Sequence, residues 1–138
     1  MNFAHRFFSR IPKLSEIESR VLKDVECALH HSLRPTFSAQ VSKITKIQRL
    51  DKGREVDFYF AAGDSSPLFQ DLAEVDELKL ASLHIKSVDS GHQARADVWL
   101  VRGRLFSIEF NAPPGDLKGE RLLSEVVLHF PQDVENAR

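Results

Sequence analysis

The chain predicts an α+β domain: an N-terminal helix packed on one face of a five- or six-stranded, largely antiparallel sheet. Two observations carry this expectation. One long amphipathic stretch near the N-terminus has a helical period of apolar residues, and the rest of the chain is dominated by short segments in which apolar and polar residues alternate. With 138 residues, 42% of them apolar and 28% charged, the composition fits a single globular domain over residues 1–138. A domain of this size buries roughly 68–70% of its unfolded-chain surface without disulfides or a structural metal.

The first fourteen residues form an arm, flexible or packed onto the core. Phe3, Phe7 and Ile11 recur at helical spacing beside Arg6 and Arg10, and a first turn packing onto the core is the expectation for so short a segment. A helix is predicted from Ser15 to Leu33. Ser15 and Glu18 have the spacing of a capping box. Leu14, Ile17, Val21, Val25, Ala28 and Ser32 then follow as one buried stripe, widened by Leu22 and Leu29, until Pro35 stops the helix. Cys27 and His31 lie four apart within it, but Cys27 falls near Arg20 and Lys23 on the far side from the stripe. No further Cys or His is close enough in sequence to complete a tetrahedral set. The negative end of the helix dipole also works against a thiolate at Cys27.

After Pro35 a bulged strand is expected, because Phe37, Ala39 and Val41 alternate before Ile44 and Ile47 break the parity; a second short helix is the rival. Asp51, Lys52 and Gly53 then read as a hairpin turn leading into Val56, Phe58 and Phe60, with Leu50 facing Arg54 and Ile44 facing Phe60. Residues 61–78 hold a Gly, a Pro and clustered turn formers, and read as a connection with one helical turn.

Three strands follow, over 80–87, 94–101 and 105–111, and their pairing is set by requiring apolar residues to share a face. Val88 opposite Gln93 pairs Ile85 with Ala96 and Leu83 with Val98. A three-residue turn at Arg102, Gly103 and Arg104 pairs Val101 with Leu105, Val98 with Ile108 and Ala96 with Phe110. Pro113 and Pro114 end the third strand, and NAPPGDLKGE lacks the spacing of a phosphate loop. SEVVLHF reads as a final strand, with a helix over 120–129 as the rival.

These registers leave a second sheet face on which His84, Asp97 and Glu109 form one row, Lys86, Arg95 and Asn111 a second, and Ser82, Trp99 and Ser107 a third. Leu80, Val101 and Leu105 complete it. A tryptophan among apolar neighbours on a face turned to water points to a covered surface or a partner, since Trp is enriched among interface anchors. The leading functional expectation is a small binding or protein-interaction module using Trp99, Arg95, Lys86, Val101 and Leu105, with a protein partner or a second copy of the chain on that face. An inhibitor or immunity-type role suits such a domain. The alternative is a small enzyme or metal-binding protein at His84, Asp97 and Glu109, where mutual repulsion raises one carboxylate pKa and the histidine acts as acid or base. Ser107 lacks the glycine-flanked elbow of a hydrolase nucleophile.

No cofactor is expected. A net charge of −1 argues against a general nucleic-acid binder, and no segment has the length of a membrane span. Lys43, Lys46, Arg49, Lys52 and Arg54 on one stretch, and Asp64, Asp71, Glu74, Asp76 and Glu77 on another, read as solvated faces. A single cysteine and the lack of a signal-peptide pattern place the expected location in the cytoplasm.

Overall fold

The structure, a computed structural model, describes residues 13–129. The expected arm lies outside the described residues as far as residue 12; Leu14 packs against the core. Helix α1 runs over Glu16–Ala28 from the predicted capping box: Ser15 Oγ accepts from the Glu18 amide at 3.2 Å, and Glu18 Oε1 accepts from the Ser15 amide at 2.8 Å. Val21, Leu22 and Val25 are buried along one side.

The helix ends at Ala28 rather than Leu33. Leu29 turns extended, at φ −67° and ψ 149°, and is buried in the core. Arg34 then reaches back, its Nε donating to the Leu29 carbonyl at 3.0 Å and its Nη2 to that of Cys27 at 2.8 Å, which satisfies the exposed helix end. Pro35 opens a second helix instead of stopping the first. Helix α2 spans Arg34–Ser42 with proline in its first turn, where the missing N–H costs nothing. The expected strand over 37–41 is therefore corrected to the rival helix. Phe37 and Gln40, three apart, are buried, with half-buried Val41 completing the same face.

Six strands form one antiparallel sheet: β1 Ile44–Leu50, β2 Glu55–Phe60, β3 Leu78–Ser87, β4 Gln93–Val101, β5 Arg104–Phe110 and β6 Leu122–Leu128, in the spatial order β1-β2-β5-β4-β3-β6. In the first hairpin Ile44 faces Phe60 as expected, but a bulge between Ile44 and Lys46 makes Leu50 face Glu55 instead of Arg54.

In β3 and β4 the pairing is displaced by two residues, so Leu83 faces Ala96 and Ile85 faces Ala94. Ser87 is the cause. Its amide donates to the His92 carbonyl at 2.8 Å, and its hydroxyl accepts from the amides of Asp89 and Ser90 at 3.2 and 3.1 Å, so the turn begins at Val88. A shift of two keeps every side chain on its face.

Between β4 and β5 the turn has two residues, Arg102 and Gly103, with φ of 51° and 78°, as the twist of a tight hairpin favours. A bulge next to Trp99 and Leu100 absorbs the difference, so Asp97 still faces Glu109 and Trp99 still faces Ser107. Leu105 consequently faces Leu100 and is buried, and Leu80, at a bulge in β3, is buried as well. Neither belongs to the open face. Residues 122–128 form a strand, not a helix, and pair with β3.

Both helices and the inward side chains of the sheet share one core, with Phe37, Val56, Leu83, Val98, Ile108 and Phe110 among its members. The 61–77 connection contributes Phe69 and Leu72 to that core. The other face of the sheet carries neither helix. No helix among the described residues is long and apolar enough to cross a membrane.

Candidate functional site

The registers define the rows of the open face. One row reads Val127, Ser82, Asp97, Glu109, Glu55 and Leu50 across β6, β3, β4, β5, β2 and β1. The next reads Lys79, Trp99, Ser107, Asp57 and Gln48. Alternation along Glu55, Val56, Asp57, Phe58 and Tyr59 sends the two acids and the tyrosine to this face and Val56 and Phe58 to the core.

His84 is not in the row of Asp97 and Glu109. It faces Arg95, and its Nε2 lies 2.7 Å from Gln93 Oε1. Ser82 takes the place beside Asp97. Among the described residues no group of three His, Cys, Asp or Glu side chains is arranged to hold a metal ion. Lys86 faces Gln93 and Leu123 near one end of the sheet. Arg95 is exposed, with Nε 3.7 Å from Asp97 Oδ1. Trp99 is half-buried at the centre of the face, and Val101 is half-buried at its edge opposite Arg104.

Lys79 was not singled out by sequence, yet its ammonium stands 3.6 Å from Asp97 Oδ2 and 5.4 Å from the centre of the Trp99 ring. Glu55 and Asp57 were also missed. Their alternation was legible, but their meeting with Glu109 depends on β2 pairing with β5, two strands far apart in sequence.

Glu55 and Asp97 both stand directly opposite Glu109. Directly opposed like charges destabilise a sheet. The carboxyl of Asp57 is pushed up to about 6, first by burial, then by its hydrogen bond to Glu55 and the charges of Glu55 and Glu109. Glu109 is also raised, by burial first and then by Glu55, Asp97 and Glu77, with Lys79 offsetting part of the effect. Lys79 and Arg95 both serve Asp97. Among the described residues no cationic nitrogen comes within 4.0 Å of Glu55, Asp57 or Glu109.

Three buried polar atoms of the central row have no hydrogen-bond partner among the described residues: Trp99 Nε1, Ser107 Oγ and Asp57 Oδ1. Unpaired buried polar atoms are costly, at about 1–3 kcal/mol each. Beyond them, toward β6, a shallow groove of about 510 Å³ is lined by Ser82, His84, Arg95, Asn111, Glu125 and His129 among others. Ser82 Oγ donates to Asp97 Oδ1 at 2.7 Å and lies 3.0 Å from His129 Nε2.

Comparison of the chain with protein-family models, curated proteins and solved structures returns no match. The fold and the site define an α+β domain whose two described helices cover one face of a six-stranded antiparallel sheet, while among the described residues no helix covers the acidic, aromatic face.

Proposed function

We propose that the protein is a small cytoplasmic recognition module that seats a partner protein on the open sheet face, with Trp99 as the anchor. One observation carries this reading: the only tryptophan of the chain stands half-buried at the centre of the sheet face that neither described helix covers. A half-buried indole offers a large rigid apolar surface, which interface anchors use. Tyr59, exposed on β2, extends the aromatic surface, and half-buried Val101 adds an apolar edge. Arg95 and Lys86 supply polar contacts toward the rim. Displacement of His84 from the carboxylate row favours recognition over chemistry at His84, Asp97 and Glu109.

Cys27 is exposed on α1, in the layer opposite the open face, and is the only cysteine, so the chain can be immobilised through it with the sheet outward. A partner retained from cells of the same source, identified by mass spectrometry and then purified, is expected to bind the wild type and to bind Trp99→Ala at least about tenfold more weakly by calorimetry. Lys23→Ala, in the helix layer, should leave binding unchanged. Full-strength binding by Trp99→Ala overturns the proposal. Sedimentation across a concentration series identifies the case in which the partner is a second copy of the chain.

A further inference from the structure

We propose that the carboxylates of Glu55, Asp57 and Glu109, with the Ser107 hydroxyl between them, form a receptor for one arginine side chain of the partner. The inference rests on the reading of the open face as the partner's seat, and it names the chemistry of the group that enters there. Two independent observations meet at this point. Three acids from β2 and β5 are held together by register with no cation within salt-bridge distance among the described residues. Beside them lie acceptors that nothing uses: Ser107 Oγ, on a side chain 1% exposed, and Asp57 Oδ1, on one 8% exposed.

Pairing explains why these acceptors converge. Asp57 faces Ser107 directly, and Glu55 faces Glu109 in the adjacent row, so four side chains from two neighbouring strands surround one spot. Neighbouring strands lie about 4.8 Å apart, which a single planar group spans. A guanidinium carries five donors in a fixed fork and is weakly hydrated, so it can satisfy several acceptors at once and tolerate burial beside an indole. An ammonium is more compact and more strongly hydrated, and Lys79 already supplies one over the Trp99 ring. Glu109 is exposed and turns toward an arriving cation without disturbing the core.

Asp57 and Glu109 are both raised, first by burial and then by the neighbouring carboxylate charges, which Lys79 offsets only in part at Glu109. A cation at this spot restores both groups toward their ordinary ionisation. Binding should therefore release charge repulsion as well as form hydrogen bonds.

The test uses the full chain at neutral pH and a hexa-arginine peptide as the probe, with Trp99 as the sole indole reporter in fluorescence and in amide-type NMR spectra. Saturable movement of the Trp99 Nε1–H resonance is expected. The Glu55→Gln, Glu109→Gln double variant should weaken binding by at least about tenfold, since charge-assisted contacts are lost. Glu125→Gln, on the same face but in another row, should change it less than about twofold. Hexa-lysine should bind more weakly than hexa-arginine.

Absence of a saturable Trp99 shift overturns the inference, as does equal loss in the Glu125→Gln variant, which would mark diffuse attraction. Equal affinity for hexa-lysine removes the arginine assignment. Saturation of the same signal by magnesium or manganese chloride alone, abolished by the double variant, replaces the receptor with a metal site. The glutamine substitutions sit on side chains that reach the surface and remove repulsion, so they preserve the fold. If the purified partner loses affinity for Trp99→Ala but not for the double variant, the seat on the open face stands and the arginine receptor falls.

Discussion

Asp57 on β2 stands directly opposite Ser107 on β5, and each carries a buried side-chain oxygen without a hydrogen-bond partner among the described residues. Such a pairing costs stability, and it does so in the middle of a sheet whose other face is a well-filled core.

Asp57→Asn should stabilise the protein near neutral pH. Its folded-state carboxyl, near 6 against an ordinary 3.8, is surrounded by Glu55 and Glu109, with Asp97 on β4 and Lys79 on β3 further across the sheet. Because the pKa is raised, the folded state binds the proton more tightly. The penalty is absent below the ordinary value, grows as pH rises between the two, and is complete above about 6. A difference of about two units corresponds to at most about 3 kcal/mol. Urea unfolding should show the variant about 2 kcal/mol more stable at neutral pH, with the gain vanishing below about pH 4. Equal or lower stability at neutral pH would contradict the account.

Arg49→Ala should destabilise the protein by about 2–3 kcal/mol. Arg49 joins β1 to α1 through two hydrogen bonds of 2.8 Å to the Glu18 carboxylate, which is 3% exposed. Burial alone would raise Glu18, but the bonds from Arg49 and Ser15 outweigh it and hold the carboxyl below its ordinary value. Stability from this pair is therefore present above the ordinary carboxylate range and lost as pH falls through the lowered pKa. Chemical unfolding at neutral and acidic pH should show a shallower acid loss in the variant than in the wild type.

Gln40→Leu should cost about 3 kcal/mol despite its similar size, because it strands backbone groups in the core. Gln40 is fully buried. Its Nε2 donates to the carbonyls of Pro67 and Gly103 at 2.8 and 2.9 Å, and its Oε1 accepts from the Leu105 amide at 2.8 Å. Hydrogen exchange should accelerate at Leu105 in the variant before it does in β3. Unchanged thermal stability would rule out this bridging role.

Gly103→Ala should also be poorly tolerated. The position has φ +78°, and an added Cβ would meet the Phe69 carbonyl oxygen at 2.7 Å, a backbone atom that cannot swing aside. A loss of at least about 2 kcal/mol is expected by thermal unfolding, together with weaker protection of the Phe69 amide, which donates to the Gly103 carbonyl at 3.0 Å. Wild-type stability in this variant would mean that the connection is not pinned to the hairpin.

Local patterns carried much of the architecture. The capping box at Ser15 and Glu18, the alternation in β2 to β6, and the facing of Asp97 by Glu109 and of Trp99 by Ser107 were legible because each depends on neighbours in sequence or on the parity of a strand. Over residues 37–41 the sequence favours a bulged strand and leaves a short helix as the rival, because Phe37, Ala39 and Val41 satisfy both periods over so short a stretch. Only the burial of Gln40 beside Phe37 decides between them.

By itself, then, the sequence determined the α+β class, an antiparallel sheet and the polar character of its open face, since period and parity are properties of the chain. Only the tertiary structure decided the composition of that face. Bulges beside Lys79 and Trp99 drew Leu80 and Leu105 inward, Ser87 reset the β3 and β4 register, and His84 was moved out of the carboxylate row. Pairing of β2 with β5 brought Glu55 and Asp57 against Glu109 and Ser107. That pairing joins segments about fifty residues apart, and no local propensity encodes a contact whose energy exists only once both strands lie on the same core.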